Sequence, residues 1–206
     1  RLKRRFFTTG YDINKDRVNS LLNKKDKNKE FSKKSLILKN NSTITNNQTK
    51  LKKCNFFIVA VPTPVDKKFN PDLKCLKDAL TIVGKNLNKG DIVFIESTIY
   101  PSVTQNICTP ILEKKSGLKN NKDFNIGYSS ERINPGDKKY SIENINKVVA
   151  IETNEKKVLQ RVSSVYKIIS KKIIFSKFIK EAETSKVIEN IQRDVNIALM
   201  NEIFLI

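Results

Sequence analysis

The chain has 206 residues, and its 40 lysines and arginines exceed its 21 aspartates and glutamates, which gives a formal net charge of +19. A hydrophobic content of 38% is sufficient for the packed core of one large domain. Histidine and tryptophan are absent, which excludes a histidine-ligated metal, a Ser-His-Asp triad and a histidine general base within these residues, and no metal site is expected.

Hydrophobic periodicity predicts strands and helices in alternation along the chain. In chain order it predicts strand 6–13, helix 16–22, strands 42–45 and 56–61, helix 72–87, strand 91–95, helix 103–115, strands 124–128 and 147–151, helix 154–169, strand 172–175 and helix 178–206. Asp72 is the predicted N-cap of its helix, and Gly90 and Gly117 are the predicted turn residues after two helices. This alternation predicts an α/β fold with a doubly wound, mostly parallel sheet.

The carboxyl ends of the predicted strands are where ligands bind in such a sheet. Asp12 ends the first predicted strand, and an acidic residue at this position of a dinucleotide-binding fold hydrogen-bonds the adenosine ribose. Taken alone, Asp12 has a simpler interpretation as a strand-end turn residue. The glycine-rich phosphate loop that precedes such an acid is expected before residue 1.

Charge, hydropathy and the cysteine pattern indicate which partners and which cellular compartment to expect. The lysines are scattered over nearly every predicted loop and helix end, which indicates solvated faces rather than a nucleic-acid stripe, so no nucleic-acid partner is expected. No apolar run approaches the roughly 18–20 residues that span a bilayer, so no membrane partner is expected. Cys54, Cys75 and Cys108 form neither a zinc nor a disulfide pattern, which predicts a reducing, cytoplasmic compartment.

Lys186 and Asn190 are four residues apart on the last predicted helix and therefore share one face. A cation and an amide donor aimed at one point suit an oxyanion that forms only in a transition state. Lys186 alone, among so many lysines, has the simpler interpretation of a surface residue. A separate apolar stripe on the same helix is expected to pack as core; its members are Val187, Ile191, Val195 and Leu199.

Five motifs in a fixed order resemble the UDP-glucose/GDP-mannose dehydrogenase family, most closely its UDP-N-acetylhexosamine branch. They are FIVAVPTPVD at 57–66, PDL at 71–73, GDIV with ESTIYP within 90–101, YSSERINPGD at 128–137, and EA, KVIEN and RDVNIALMNE within 181–202. The resemblance covers nearly the whole chain. It implies a Rossmann-like domain that binds NAD, and oxidation of a nucleotide-sugar 6-hydroxyl to a carboxylate by two hydride transfers. UDP-N-acetylglucosamine or UDP-N-acetylgalactosamine is the implied substrate, for surface polysaccharide synthesis.

The resemblance also implies cofactor-binding roles for residues at the strand ends. Asp12 would hold the adenosine ribose, and Arg17 would lie on the adenine or ribose side. Val61 and Thr63 would line the dinucleotide groove. Thr98 would lie near the nicotinamide and help to orient a catalytic water.

The implied catalytic and substrate-binding roles fall on two later segments. Glu131 would act with the oriented water in proton transfer and thioester hydrolysis. The next three residues, Arg132, Ile133 and Asn134, would contact the nucleotide sugar. Lys186 and Asn190 would stabilise the oxyanion that develops at C6 of the sugar.

The chain departs from the family pattern at three positions. Ser130 replaces a usual proline, Ser102 an often-present glycine, and Pro135 stands where the UDP-glucose branch has a second acid. The family's catalytic cysteine is expected beyond residue 206, since the three cysteines of this chain do not match its context.

The resemblance implies two domains, both incomplete. Residues 1–177 would be an NAD-binding domain without its first strand and glycine loop, and residues 178–206 would begin a central helix that forms a homodimer. Alone, this fragment would be inactive. Two alternatives remain open, a truncated non-catalytic remnant of the family and, more remotely, a basic nucleic-acid-binding module.

Overall fold

The computed structural model describes residue 2, residues 5–26, residue 36, residues 41–130 and residues 146–206. The elements in chain order are β1 (Thr8–Tyr11), α1 (Lys15–Leu22), β2 (Ser42–Thr45), β3 (Phe56–Val59), α2 (Lys74–Gly84), β4 (Ile92–Ile95), α3 (Thr109–Ser116), β5 (Asn125–Ser129), β6 (Lys147–Ile151), α4 (Lys156–Ile169), β7 (Ile173–Ser176) and α5 (Ile179–Phe204). A 3-10 helix, Gln48–Lys53, precedes β3, and a π-helical segment, Thr104–Cys108, runs directly into α3.

The strands form a parallel pair, β1–β2, and a five-stranded sheet in the order β3-β4-β5-β6-β7. Every neighbouring pair is parallel except β5 and β6. The predicted α/β architecture with a mostly parallel sheet is therefore confirmed. The reversal at β6 has a local consequence, because it brings the amino end of β6 to the carboxyl end of β5, where Ser129 pairs with Val149.

The core lies on both faces of the five-stranded sheet, and β4 contributes side chains to both faces. All four residues of β4 are fully buried, and they alternate between two apolar clusters: Val93 and Ile95 on one face, Ile92 and Phe94 on the other. A strand covered on both faces reads as a continuous apolar run, which is why the sequence predicted it so clearly.

An aromatic cluster fills one face of the sheet. The rings of Phe56 and Phe94 stack at a centroid separation of 5.7 Å, and Tyr166 of α4 meets Phe94 edge-on at 5.0 Å. Gly127 of β5 lies directly against the Phe94 ring, where a Cβ atom would come within 2.5 Å of Phe94 Cζ. The missing side chain at residue 127 therefore leaves the space that the Phe94 ring occupies.

Several predicted boundaries were too wide. The predicted strand 56–61 ends at Val59, because Val61 bonds through both its N–H and its C=O to the Ser97 hydroxyl instead of to a neighbouring strand. The predicted strand 6–13 is confined to Thr8–Tyr11. The 3-10 helix before β3 was not predicted.

The N-cap prediction for Asp72 was wrong. The cap position is Leu73, which makes no side-chain cap bond. Asp72 instead accepts a hydrogen bond from the Lys74 amide at 2.8 Å. The first N–H of α2 is therefore bonded by the residue that precedes the cap position. Both predicted glycine turns are confirmed, since Gly90 and Gly117 have positive φ angles of 83° and 73°.

Candidate functional site

The carboxyl ends of the parallel strands bring three of the predicted site residues close to one another. Thr63 follows β3 and Thr98 follows β4; the Thr63 hydroxyl donates to the Thr98 carbonyl at 2.6 Å. The Ser97 hydroxyl accepts from the Val61 amide at 2.9 Å and donates to the Val61 carbonyl at 2.8 Å. These bonds join the two strand-end loops into one unit, and they leave the Thr98 side chain exposed.

Asp12 follows β1, as predicted, and its carboxylate is only partly used by the protein. Asp12 Oδ1 accepts from the Asn14 amide at 2.8 Å, and Asn14 in turn caps α1 by accepting from the Arg17 amide at 3.0 Å. Asp12 Oδ2 has no hydrogen-bond partner among the residues that the structure describes. A carboxylate oxygen held in place on one side and open on the other fits the vicinal hydroxyls of a ribose.

Arg17 lies on α1, one turn after Asp12. Its guanidinium is held by Asp26, with 3.0 Å between Arg17 Nη1 and Asp26 Oδ1, and the Asp26 side chain is only 2% exposed. The ion pair fixes the direction of a long side chain that would otherwise sample many rotamers. The Arg17 guanidinium is therefore held by Asp26.

A cluster of buried charged side chains, which was not predicted, lies at the carboxyl ends of β4 and β5. Lys147, the first residue of β6, is 5% exposed, and its Nζ lies 3.2 Å from Glu96 Oε1 at the end of β4. Lys147 Nζ also reaches the Ser130 carbonyl at 3.5 Å, and Tyr166 donates its hydroxyl to Glu96 Oε1 at 2.8 Å. A single ammonium group thus connects the ends of β4 and β5, the two strands that precede Thr98 and Glu131.

Tyr166 is a permanent donor in this cluster. Burial, followed by the negative charge of Glu96, raises the pKa of the Tyr166 phenol well above its ordinary value. The hydroxyl therefore stays protonated and keeps donating to the carboxylate. The sequence did contain one signal for the cluster, because Glu96 and Lys147 directly border strands that are otherwise apolar.

Lys186 is buried on α5, at 7% exposure, whereas Asn190 one turn later is exposed. Lys186 Nζ lies 3.9 Å from Glu189 Oε1, and Arg193 Nη2 lies 2.7 Å from the same oxygen. Burial of Lys186 removes its interpretation as an ordinary surface lysine. The apolar stripe of α5 does not pack as core within the described chain, because Ile191, Val195 and Leu199 are each more than half exposed.

The predicted residues Glu131, Arg132, Ile133 and Asn134 lie outside the described residues. The preceding residue, Ser130, is 2% exposed, and its carbonyl contacts Lys147. Ser130, the last described residue before Glu131, is therefore buried at the carboxyl end of β5.

Ser102 has a left-handed backbone conformation, with φ at 74°. A residue with a Cβ atom is strained there, and glycine is not. We expect Ser102→Gly to raise the free energy of unfolding by about 1 kcal/mol, because the relieved strain exceeds the extra chain entropy of glycine. Urea denaturation followed by circular dichroism measures this change, and a lower midpoint for Ser102→Gly would contradict it.

The cysteines carry no sign of catalytic use. All three are free thiols. Cys108 is fully buried in the core, and burial, with a smaller contribution from the Glu183 carboxylate, raises the pKa of its thiol to about 12.

Among the described residues, no three side chains are grouped as metal ligands. No helix in the described part of the chain combines the length and the apolarity that crossing a membrane requires.

Residues 3–170 match the NAD binding domain of the UDP-glucose/GDP-mannose dehydrogenase family. The chain belongs to this family. It is 49% identical over 199 residues to protein CapL of Staphylococcus aureus and 46% identical over 198 residues to UDP-N-acetyl-D-glucosamine 6-dehydrogenase of Salmonella typhi. Each alignment covers 96% of this chain and 46% of the relative. The chain therefore spans about half the length of the curated relatives it matches.

Solved structures of the dehydrogenase family share the fold. UDP-D-ManNAc dehydrogenase from Pyrococcus horikoshii superposes with a TM-score of 0.82 at 28% identity, over 96% of this chain and 47% of that one. GDP-mannose dehydrogenase from Pseudomonas aeruginosa superposes with a TM-score of 0.84 at 20% identity, over 97% of this chain and 47% of that one. The resemblance stated from the motifs is confirmed at the level of the family, its NAD-binding domain and its Rossmann-like fold.

Proposed function

We propose that the chain forms the nucleotide-binding part of an NAD-dependent nucleotide-sugar 6-dehydrogenase. The substrate we propose is a UDP-N-acetylhexosamine, with UDP-N-acetylglucosamine before UDP-N-acetylgalactosamine, and the product is its uronic acid for surface polysaccharide synthesis. The observation that carries the proposal is the joining of Val61, Thr63 and Thr98 at one sheet edge. Relatives named UDP-N-acetyl-D-glucosamine 6-dehydrogenase in two bacteria support the choice of sugar.

The cofactor would lie across the carboxyl ends of β1, β3 and β4. The open oxygen of Asp12 would accept from the ribose hydroxyls, with Arg17 beside it, and Val61 and Thr63 would line the groove. When bound, NAD supplies the hydride acceptor for each of two oxidations at C6 of the sugar. In the first oxidation C6 would give up a hydride and its hydroxyl a proton, which forms the aldehyde. In the second, C6 of the adduct that the aldehyde forms with the family's cysteine thiol would give up a hydride, and water would hydrolyse the resulting thioester and so supply the second carboxylate oxygen.

The chain's own side chains would manage charge and protons. Lys186 and Asn190 would hold the oxyanion at C6; a buried cation serves this purpose better than an exposed one, because less water screens it. Thr98 would orient the attacking water, and Glu131 would take its proton. Arg132, Ile133 and Asn134 would contact the nucleotide sugar.

The assembly we propose follows the domain division predicted from the sequence. Residues 1–177 would form the NAD-binding domain, and residues 178–206 would begin a central helix that pairs two subunits. The exposed apolar side chains of α5, among them Ile191, Val195 and Ile203, support a homodimer contact in the longer protein. Three unpaired thiols support a cytoplasmic location.

The test uses the whole reading frame that contains this chain, expressed and purified. NADH absorbance is followed with UDP-N-acetylglucosamine, UDP-N-acetylgalactosamine and UDP-glucose as separate substrates. The proposal expects two NADH per sugar with an N-acetylhexosamine substrate. A folded protein without turnover on any of the three sugars would favour the alternative, a non-catalytic remnant of the family.

In the same assay, Lys186→Met tests the oxyanion role. We expect kcat to fall by about 10²–10³-fold, because the substitution keeps the side-chain length and removes the charge that stabilises the transition state. Lys180→Met is the matched control, since Lys180 is an exposed lysine of the same helix and should leave kcat unchanged. Equal activities of the two variants would remove Lys186 from the mechanism.

A further inference from the structure

Glu183 is a fully buried carboxylate on α5 to which the sequence assigned no role. It is 0% exposed. Its Oε2 accepts from the Ser102 amide at 2.5 Å, and its Oε1 accepts from the Thr104 amide at 2.9 Å. The Ser102 amide lies in the turn just before the helical segment, and the Thr104 amide begins the π-helical residues that run into α3.

A distant carboxylate is a costly way to cap this turn. A buried charge requires strong compensation, whereas a serine or asparagine near residue 102 could satisfy the same amides locally. The two short bonds and the positive end of the helix dipole supply that compensation. A remote anion does what a local cap cannot, because it fixes the position of α5 against the loop after β4.

The two ends of this contact are close to proposed site residues in sequence. Glu183 lies three residues before Lys186 on the same helix, so the two share a face of α5. Ser102 lies four residues after Thr98, and the short connection contains Pro101, which limits its freedom. The strained φ of Ser102 points its amide at the Glu183 carboxylate.

We propose that Glu183 is a positioning residue that locks α5 to the loop after β4 and so sets Lys186 relative to Thr98. This inference rests on the roles given above to Lys186 and Thr98. Glu183 contacts neither substrate nor cofactor in this scheme. It acts through the Ser102 and Thr104 amides on one side and through the helix backbone on the other.

The first test uses this chain as it stands. Hydrogen exchange of the Ser102 and Thr104 amides, and the backbone ¹H–¹⁵N signal of Lys186 in lysine-labelled protein, are compared between wild type and Glu183→Gln. The Lys186 signal is assigned by its loss in Lys186→Arg. We expect both amides to exchange at least ~10-fold faster and the Lys186 signal to move.

Two further variants separate positioning from general destabilisation. Glu181→Gln removes an exposed acid on the first turn of the same helix and should change none of these readouts. Glu183→Asp keeps the charge and should restore part of the amide protection, though its shorter side chain leaves one bond long. Unchanged exchange in Glu183→Gln, or faster exchange with an unmoved Lys186 signal, would overturn the proposal.

The kinetic arm uses the longer enzyme and distinguishes the two proposals. In Glu183→Gln we expect kcat to fall by about 10²-fold, as for a misplaced catalytic group, while KM for NAD stays within about threefold. Lost amide protection with an unchanged kcat would overturn the positioning role. A wild-type enzyme without turnover would defeat the proposed function, and Glu183 would then be judged on the amide exchange and the Lys186 signal alone.

Discussion

Gly127→Ala is expected to lower the free energy of unfolding by about 3 kcal/mol, at the upper end of the usual range for overpacking a core. The new Cβ would lie 2.5 Å from Phe94 Cζ and 2.6 Å from the Ala150 carbonyl oxygen. Neither neighbour can move easily, because Phe94 is stacked on Phe56 and meets Tyr166 edge-on, and the Ala150 oxygen belongs to the paired strand β6.

The matched control is Gly10→Ala, also in a strand. The added Cβ at residue 10 would lie 3.6 Å from its nearest neighbour, Ile44 Cγ1, which is an ordinary contact. We expect a change of less than about 1 kcal/mol there, in either direction. Guanidinium denaturation of wild type and both variants measures the difference, and similar losses at residues 10 and 127 would show that the Phe94 contact is not the cause.

Lys147→Met is expected to destabilise the fold by about 3–5 kcal/mol, because removing one partner of a buried ion pair takes its compensating charge away from the other. The charge left behind is the Glu96 carboxylate, whose side chain is 10% exposed. Glu96 also accepts a hydrogen bond from the Tyr166 hydroxyl, but this donor is neutral and does not cancel the carboxylate charge. Equilibrium urea unfolding at neutral pH measures the loss.

A second substitution identifies the cause of that loss. Glu96→Gln removes the charge and keeps an oxygen for the Tyr166 hydroxyl, so Lys147→Met with Glu96→Gln should recover most of the stability that Lys147→Met loses. Lys74→Met removes one partner of an exposed pair with Asp78 and should leave the unfolding midpoint unchanged. Additive effects of the two buried substitutions would contradict an ion-pair mechanism.

The sequence was most informative where one physical rule determines the outcome. The predicted limits of β2 and β6 coincide with the observed Ser42–Thr45 and Lys147–Ile151, because short apolar or β-branched runs bordered by polar residues have few alternatives. Strand direction is not encoded by period-two alternation, so the antiparallel placement of β6 could not be predicted. The same is true of the meeting between Lys147 and Glu96, which depends on that reversal.

The candidate site was predictable in part. Strand-end position placed Thr63 and Thr98 together at one edge of the five-stranded sheet, because parallel strands end together. Asp12 also follows a strand, but that strand belongs to the β1–β2 pair. Glu183 escaped notice because nothing in the sequence separates it from the other charged residues of α5. Only the packing of the helix against the sheet and the loop after β4 buries it. The roles of these residues in catalysis stay predictions.

The antiparallel step between β5 and β6 also bears on how this family can diversify. The chain leaves β5 at Ser130 and re-enters the sheet at Lys147, whose Nζ lies 3.5 Å from the Ser130 carbonyl. The two ends of the connecting segment are thus already fixed side by side by the sheet. Closing a longer connection costs only about 0.6 kcal/mol per doubling of its length, so insertions between these anchors are expected to leave the sheet intact.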